Sequence, residues 1–283
     1  MTSSLTISQT EQANFDQQGF LVVDELLASS VVRRLHDRFD AVFAGEFETG
    51  VSPDEVNWQE GSSDPSLTRQ ICNGWKADGV VASVVHSPEI GRAAAKLARW
   101  PGARLAQDNL LWKPPGSRSI GFHRDNAYAT WLRPQEMLSC WIALDDVSAN
   151  TGTVEFAAGS HNWSIDNTPG GEFHAPDDYM ATVRSAAANE GADIGLHALE
   201  VPAGGGSFHH GWLWHGSGPN SSQQDRRGLV VHCISSEARF HREGFDDGTG
   251  PIYSRFARPD DDALDENHFP ILWTRDKACA SRI

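Results

Sequence analysis

The sequence predicts a mainly β fold, an antiparallel sandwich or barrel with helices packed on one face, and three observations carry that expectation. After Gly102 the chain becomes a series of short runs rich in Leu, Val, Trp and Phe, separated by Gly, Pro, Asn and Ser, which is the texture of strands joined by tight turns. The strongest helical patterns lie in the first hundred residues. A length of 283 residues, 39% hydrophobic and 22% charged, suits a globular unit that buries its core without staples.

Taken in order, Thr10 with Glu11 and Gln12 starts a short helix that stops before Gly19, and FLVVDE at 20–25 reads as a strand. Ser29 or Ser30 caps a longer helix carrying Val31, Val32, Leu35, Phe39 and Val42 at helical spacing. Residues 45–70 are polar and aperiodic and read as loop. SPEIGRAAAKLARW is the clearest helix, with Ser87 as N-cap, Pro88 in the first turn and Pro101-Gly102 as the stop. Strands are expected at 103–112, 119–125, 137–145, 152–157, 195–201, 206–214 and 227–235. Residues 164–194 interrupt this cadence, with DDYMATVRSAAANE helical, and an insertion of that kind at a barrel mouth shapes binding sites. The tail from Arg239 to Ile283, with its acidic run at 260–262, reads as a loop-rich solvated segment. One unit over 1–283 is expected: a helical buttress at about 10–100, the β core at about 103–236 and the tail at 237–283.

Lys plus Arg number 23 against 38 Asp plus Glu, a net charge of −15. Such a surface repels polyanions, so the expected partner is a small molecule, neutral or cationic, and neither nucleic acid nor an anionic membrane. Cys72, Cys140, Cys233 and Cys279 form no CxxC pair, which argues against a zinc cluster and a disulfide framework. No basic-then-apolar leader opens the chain and no apolar run reaches the length of a membrane helix. A soluble cytoplasmic protein is the expectation.

The chemistry concentrates in the β half. In GFHRDN, His123 and Asp125 are two apart, so on a strand both point to one side and Arg124 to the other. FHHGWLWHGSGPNSSQQDRR brings a third donor, His215. Two imidazoles and one carboxylate suit a ferrous ion held on three corners with three positions open. Zinc hydrolases use similar donors with one open position and a base for the bound water, and no HExxH is present. Arg226 follows His215 after a Gly-Ser-Gly turn. If that turn returns the chain along a neighbouring strand, Arg226 sits beside the metal and offers two parallel N–H bonds to a dicarboxylic co-substrate, shared by the Ser217 hydroxyl. Arg227, its strand neighbour, then faces the surface.

These residues, with the run WIALDDVSANTGTVEFAAGSH between them, resemble the phytanoyl-CoA dioxygenase family of iron(II)- and 2-oxoglutarate-dependent oxygenases over roughly residues 10–240. The resemblance implies a double-stranded β-helix, or jelly roll, with flanking α-helices. It puts the metal ligands on His123, Asp125 and His215 and the arginine for the distal carboxylate on Arg226. It also implies that Trp141 lines the 2-oxoglutarate pocket, that Ser217 stands beside the arginine, and that Gln107, Asn109 and Lys113 are pocket candidates on alternating strand positions. The reaction so implied consumes O2 and 2-oxoglutarate and releases succinate and CO2. It oxidises a C–H bond by hydroxylation, or by desaturation, epimerisation or ring closure, in a small molecule of secondary metabolism. Asp125 disfavours halogenation, whose enzymes replace this carboxylate with a small residue.

The chain departs from the family with GGGS at 204–207 where Gly-Asp is frequent, and it offers His209 and His210 as rival ligands. His215 is preferred because the Gly-Ser-Gly turn and Arg226 are placed relative to it; His209 is then a core or supporting histidine and His210 an outward one. Ten tryptophans are present, with Trp112, Trp131, Trp141, Trp212 and Trp214 expected near the pocket. Tyr128, Trp131 and Trp212 are the expected substrate contacts. A basic cluster for coenzyme A phosphates is missing, so an acyl-CoA substrate is not expected. The alternatives are a cupin-like zinc or manganese isomerase or hydrolase, and a non-catalytic jelly-roll binding module.

Overall fold

The computed structural model describes residues 5–164 and 172–275. Parts of the 164–194 insertion and of the tail, Cys279 included, lie outside the described residues. Helix α1 (Gln9–Gln18) begins one residue before the expected Thr10, because Ser8 and Glu11 form a reciprocal capping box; Gly19, at φ 81°, closes it. Helix α2 (Ser29–Phe43) buries Val32, Leu35, Phe39, Val42 and Phe43, but its N-cap is Ala28 rather than a serine. A short α3 (Gly79–Val85), capped by Asp78, was not expected from its β-branched run. Helix α4 (Pro88–Leu97) starts as predicted, with Ser87 Oγ accepting from Ile90 N at 3.1 Å. Helices α5 (Asp125–Tyr128), α6 (Ala181–Glu190) and α7 (Gly250–Tyr253) follow among the described residues.

The strands are β1 (Phe20–Val23), β2 (Glu55–Val56), β3 (Arg69–Cys72), β4 (Gly102–Lys113), β5 (Ile120–His123), β6 (Leu132–Arg133), β7 (Leu138–Ala143), β8 (Val154–Ala157), β9 (Leu196–Ala198), β10 (Gly206–His210), β11 (His215–Ser217), β12 (Arg226–Ser235), β13 (Arg239–Phe240) and β14 (Ile271–Thr274). The segment read as loop at 45–70 thus holds β2 and the start of β3; β3 pairs antiparallel with β4 and β2 with β3. The run 206–214 is one strand, β10, followed by the turn to β11, which lies in the other sheet.

An eight-stranded sheet, ordered β1-β10-β7-β12-β4-β3-β2 with β14 also on β4, faces a four-stranded sheet ordered β5-β11-β8-β9. This is the antiparallel jelly-roll arrangement. The main core lies between the large sheet and the N-terminal helices, where Leu35, Phe39, Val81 and Ile90 meet Leu105, Phe208, Leu229 and Val231. Side chains alternate across a strand, so Leu229, Val231 and Cys233 of β12 point to the helices, while Val230 packs between the sheets with Trp141 and Phe156. Arg226 and His232 share the parity of Val230 and line the same interior. The tail is not a solvated segment throughout: Phe240, Tyr253, Leu264 and Phe269 form a further core with Trp131 and Leu132.

Candidate metal centre and co-substrate pocket

A cavity of about 270 Å³ opens between the two sheets. His123 ends β5 and His215 begins β11, and the two are directly paired across those strands. Asp125 does not continue β5 as expected; it opens the helical turn α5. The turn still delivers its carboxylate: Asp125 Oδ1 lies 3.7 Å from His123 Nε2 and 3.5 Å from His215 Nε2. One ligand atom from each of the three falls within 4.8 Å of the others. Arg124 turns away and is buried against the rings of Trp212 and Trp214, at 5.3 and 4.6 Å.

The donor set fits a divalent ion in detail. Nδ1 of His123 lies 2.9 Å from Gly121 O, and Nδ1 of His215 lies 2.9 Å from Leu213 O. A carbonyl only accepts, so each ring carries a proton on Nδ1, which leaves Nε2 as the nitrogen to hold a metal; burial lowers His215, but the Asp125 carboxylate outweighs it and raises that ring. Burial, with His215 adding to it, pushes His123 down to about 3, which keeps that imidazole neutral. Burial alone would raise the Asp125 carboxyl, but the imidazoles of His215 and His232 outweigh it and hold the group well below the usual carboxylate range.

Arg226 is buried, and its Nε and Nη2 both donate to Gly152 O, at 3.0 and 2.9 Å. Nη2 also donates to Ser217 Oγ at 3.2 Å, while Nη1 is buried without a partner. The expected fork is therefore half used, and Nη1 is the nitrogen left for an incoming carboxylate. The Ser217 hydroxyl is saturated: it accepts from Arg226 and from Lys113 Nζ, the latter at 2.5 Å, and donates to Gly152 O at 3.1 Å. It orients the arginine rather than waiting free for the carboxylate. Strand β12 is not the neighbour of β11 but lies in the facing sheet, because the intervening turn, tied by Asn220 Nδ2 to Lys113 O and Gln224 O, crosses between them.

Of the other expected residues, Gln107, Asn109, Trp141, Ser217 and Tyr128 line the cavity. Lys113 does not: it is fully buried behind Ser217, where it also donates to Gly218 O. Trp131, an expected substrate contact, does not line the cavity but packs against Tyr253, Phe269 and Phe240 with its Nε1 on Thr249 Oγ1. Trp212 also lies off the cavity, and of the five tryptophans expected there Trp141 alone lines it. His209 is buried with Nε2 3.4 Å from Asp125 Oδ2, and His210 faces Phe15 and His161. The sequence reading missed His232 and Ser139. Counting in twos from Arg226 along β12 reaches His232, and from Trp141 back along β7 reaches Ser139, so strand parity was the available signal. It also missed Phe173 and His174, which line the cavity from the 164–194 insertion.

A jelly roll with two histidines and one aspartate gathered between its sheets, beside a buried arginine, defines a non-haem metal oxygenase. The model of the phytanoyl-CoA dioxygenase family matches residues 15–228. The chain is 24% identical to a probable alpha-ketoglutarate-dependent hypophosphite dioxygenase of Stutzerimonas stutzeri, over 81% of this chain and 79% of that protein. It is 24% identical to the peroxisomal phytanoyl-CoA dioxygenase of Homo sapiens, over 81% and 69%. Its fold is similar to that of SnoK, an alpha-ketoglutarate-dependent carbocyclase from nogalamycin biosynthesis, with a TM-score of 0.73, 21% identity and coverage of 95% and 98%. The chain belongs to the phytanoyl-CoA dioxygenase family. It is an iron- and 2-oxoglutarate-dependent oxygenase.

Proposed function

We propose that His123, Asp125 and His215 hold iron(II), that Arg226 takes the distal carboxylate of 2-oxoglutarate, and that the enzyme oxidises a C–H bond of a neutral or cationic small molecule in secondary metabolism. When bound, the metal with its keto-acid co-substrate supplies the oxidising power. The protein binds, orients and excludes water. His123 and His215 present fixed lone pairs, Asp125 Oδ1 completes one face, and Arg226 Nη1 awaits an anion. Trp141, whose ring lies 5.5 Å from the Arg226 guanidinium, walls the co-substrate pocket with Val154 and Val230. The observation that carries the reading is the buried, unpartnered Nη1 in the same cavity as a cluster of two imidazoles and one carboxylate, the pairing that a metal-chelating dicarboxylate needs.

The substrate reading rests on the cavity lining. Gln70, Gln107, Asn109, Glu55, Thr249 and His174 are among its polar residues, and Arg226 is the one arginine or lysine on the cavity surface among the described residues. Amides and a carboxylate suit hydroxyls and amines better than phosphates. Relatives in fold include a carbocyclase and an epimerase from nogalamycin biosynthesis, which favours a natural-product intermediate. A cytoplasmic setting is supported by the free, buried Cys72, Cys140 and Cys233, and no described helix is long and apolar enough to cross a membrane. The test is a succinate-release and oxygen-uptake screen over such intermediates with iron(II) and 2-oxoglutarate. Coupled turnover, lost in His123→Ala and Arg226→Ala, supports the proposal; turnover with zinc alone and without oxygen overturns it.

A further inference from the structure

A chain of hydrogen bonds runs from the cavity wall to the back of the Asp125 carboxylate. Ser139 Oγ lies 2.5 Å from Asp125 Oδ2 and 2.7 Å from His232 Nδ1, and His232 Nε2 lies 3.0 Å from Asn109 Nδ2. All three residues are buried, on the central strands β7, β12 and β4, where Ser139 pairs with His232 directly.

The direction of every bond follows from one end. An ionised carboxylate only accepts, so the single Ser139 proton goes to Asp125. Ser139 must then accept from His232 Nδ1–H, which makes Nε2 the acceptor in a neutral ring. Only the NH2 end of Asn109 can donate to it. The opposite end, Oδ1, is buried with no partner, on a residue that lines the cavity. A buried unpaired carbonyl is costly. 2-Oxoglutarate cannot satisfy it, since the dianion carries oxygens that accept and no O–H or N–H.

We propose, building on the metal-site reading above, that Asn109 determines specificity: its Oδ1 takes a hydrogen bond from an O–H or N–H of the molecule to be oxidised, while its Nδ2 anchors the His232–Ser139 chain that fixes Asp125 for the metal. Ser139 and His232 are positioning residues. They occupy Oδ2, so that Oδ1 alone is turned toward His123 and His215. The substrate class is accordingly one with a hydroxyl, amine or amide donor close to the reacting carbon, and a donor-free analogue loses the contact.

The test needs no turnover. Cobalt(II) is titrated anaerobically into the full chain with 2-oxoglutarate, following its visible bands, for the wild type, Ser139→Ala, Ser139→Thr and Asn109→Leu. Ser139→Ala is expected to bind cobalt about 10- to 100-fold more weakly with altered bands, Ser139→Thr to restore both, and Asn109→Leu to lose part of the affinity. With manganese(II) in place of cobalt, the methyl protons of acetamide, which has N–H donors, are expected to relax faster than those of N,N-dimethylacetamide, and Asn109→Leu to abolish the difference. Thermal unfolding establishes that each variant is folded; an unfolded Ser139→Ala leaves the Asn109→Leu comparison to decide. Wild-type cobalt affinity and bands in folded Ser139→Ala and Asn109→Leu, or equal relaxation of the two amides by wild type, overturns the proposal while the metal site stands. Failure of the wild type to bind cobalt overturns both.

Discussion

Arg226 and Ser217 stand on strands of facing sheets, and the arginine Nη2 donates to the serine Oγ at 3.2 Å. This contact ties the large sheet to the small one, and with Gly152 O it holds the guanidinium so that Nη1 is buried without a partner.

Arg226→Lys is therefore not conservative. A lysine keeps charge but cannot hold Gly152 O with two nitrogens and still present a third. Loss of one charge-assisted bond, about 1.5–3 kcal/mol, corresponds to 2-oxoglutarate binding about 10- to 100-fold weaker, read as a raised KM for the co-substrate with metal affinity unchanged.

Gly228 sits under the indole of Trp141, where a Cβ would lie 2.7 Å from Cζ2. Gly228→Ala must displace that ring, which lines the cavity. An overpacking cost of about 1–3 kcal/mol is expected in denaturant unfolding, together with a higher KM for 2-oxoglutarate.

Metal binding is expected to stabilise the fold through the three ligands. Chelator-stripped protein should regain about 2.7 kcal/mol at a manganese(II) concentration a hundredfold above Kd. Asp125→Ala should show no such gain in thermal unfolding; a retained gain would place the ion elsewhere.

Asp108 faces away from the cavity, where its carboxylate accepts from Gly74 N and Trp75 N, each at 3.1 Å. Burial pushes its carboxyl up from 3.8 to about 7, against those two bonds. Between these values the folded state keeps a proton that the unfolded chain has lost. Stability from this group is full below pH 3.8 and falls as pH rises toward 7, at about 1.4 kcal/mol per pH unit at most. Asp108→Asn should remove this slope, measured as unfolding free energy against pH.

Trp131 fills the core made with the tail, so Trp131→Ala should cost about 3–5 kcal/mol of stability. The folded fraction should keep its 2-oxoglutarate KM, whereas a substrate-contact role would spare stability and change turnover.

Much of this was legible along the chain because the signals are local. Ser87 and Pro88 announce α4 within one turn, and the strand cadence after Gly102 predicts two-layer β architecture. The ligands His123, Asp125 and His215 and the anion-binding Arg226 carry residue types whose chemistry is specific, and the three ligands do converge. Less legible was the backbone between them: Asp125 reaches its place from a helical turn and not from strand alternation, since Asn126 Oδ1 accepts from Met137 N and Asn126 N donates to Gly211 O, contacts that no local pattern encodes.

Residue chemistry by itself determined an antiparallel two-layer β fold and the two imidazoles and carboxylate suited to a metal, because burial periodicity and ligand type are written in short stretches; the jelly-roll topology came with the family resemblance. Tertiary structure alone decided the rest. It set Arg226 across the sheets from His215, drew Lys113 behind Ser217, removed Trp131 to another core and joined Asn109, 123 positions from His232 in the chain, to the metal carboxylate. Those relations depend on which strands become neighbours, and strand pairing is a property of the whole packed sheet.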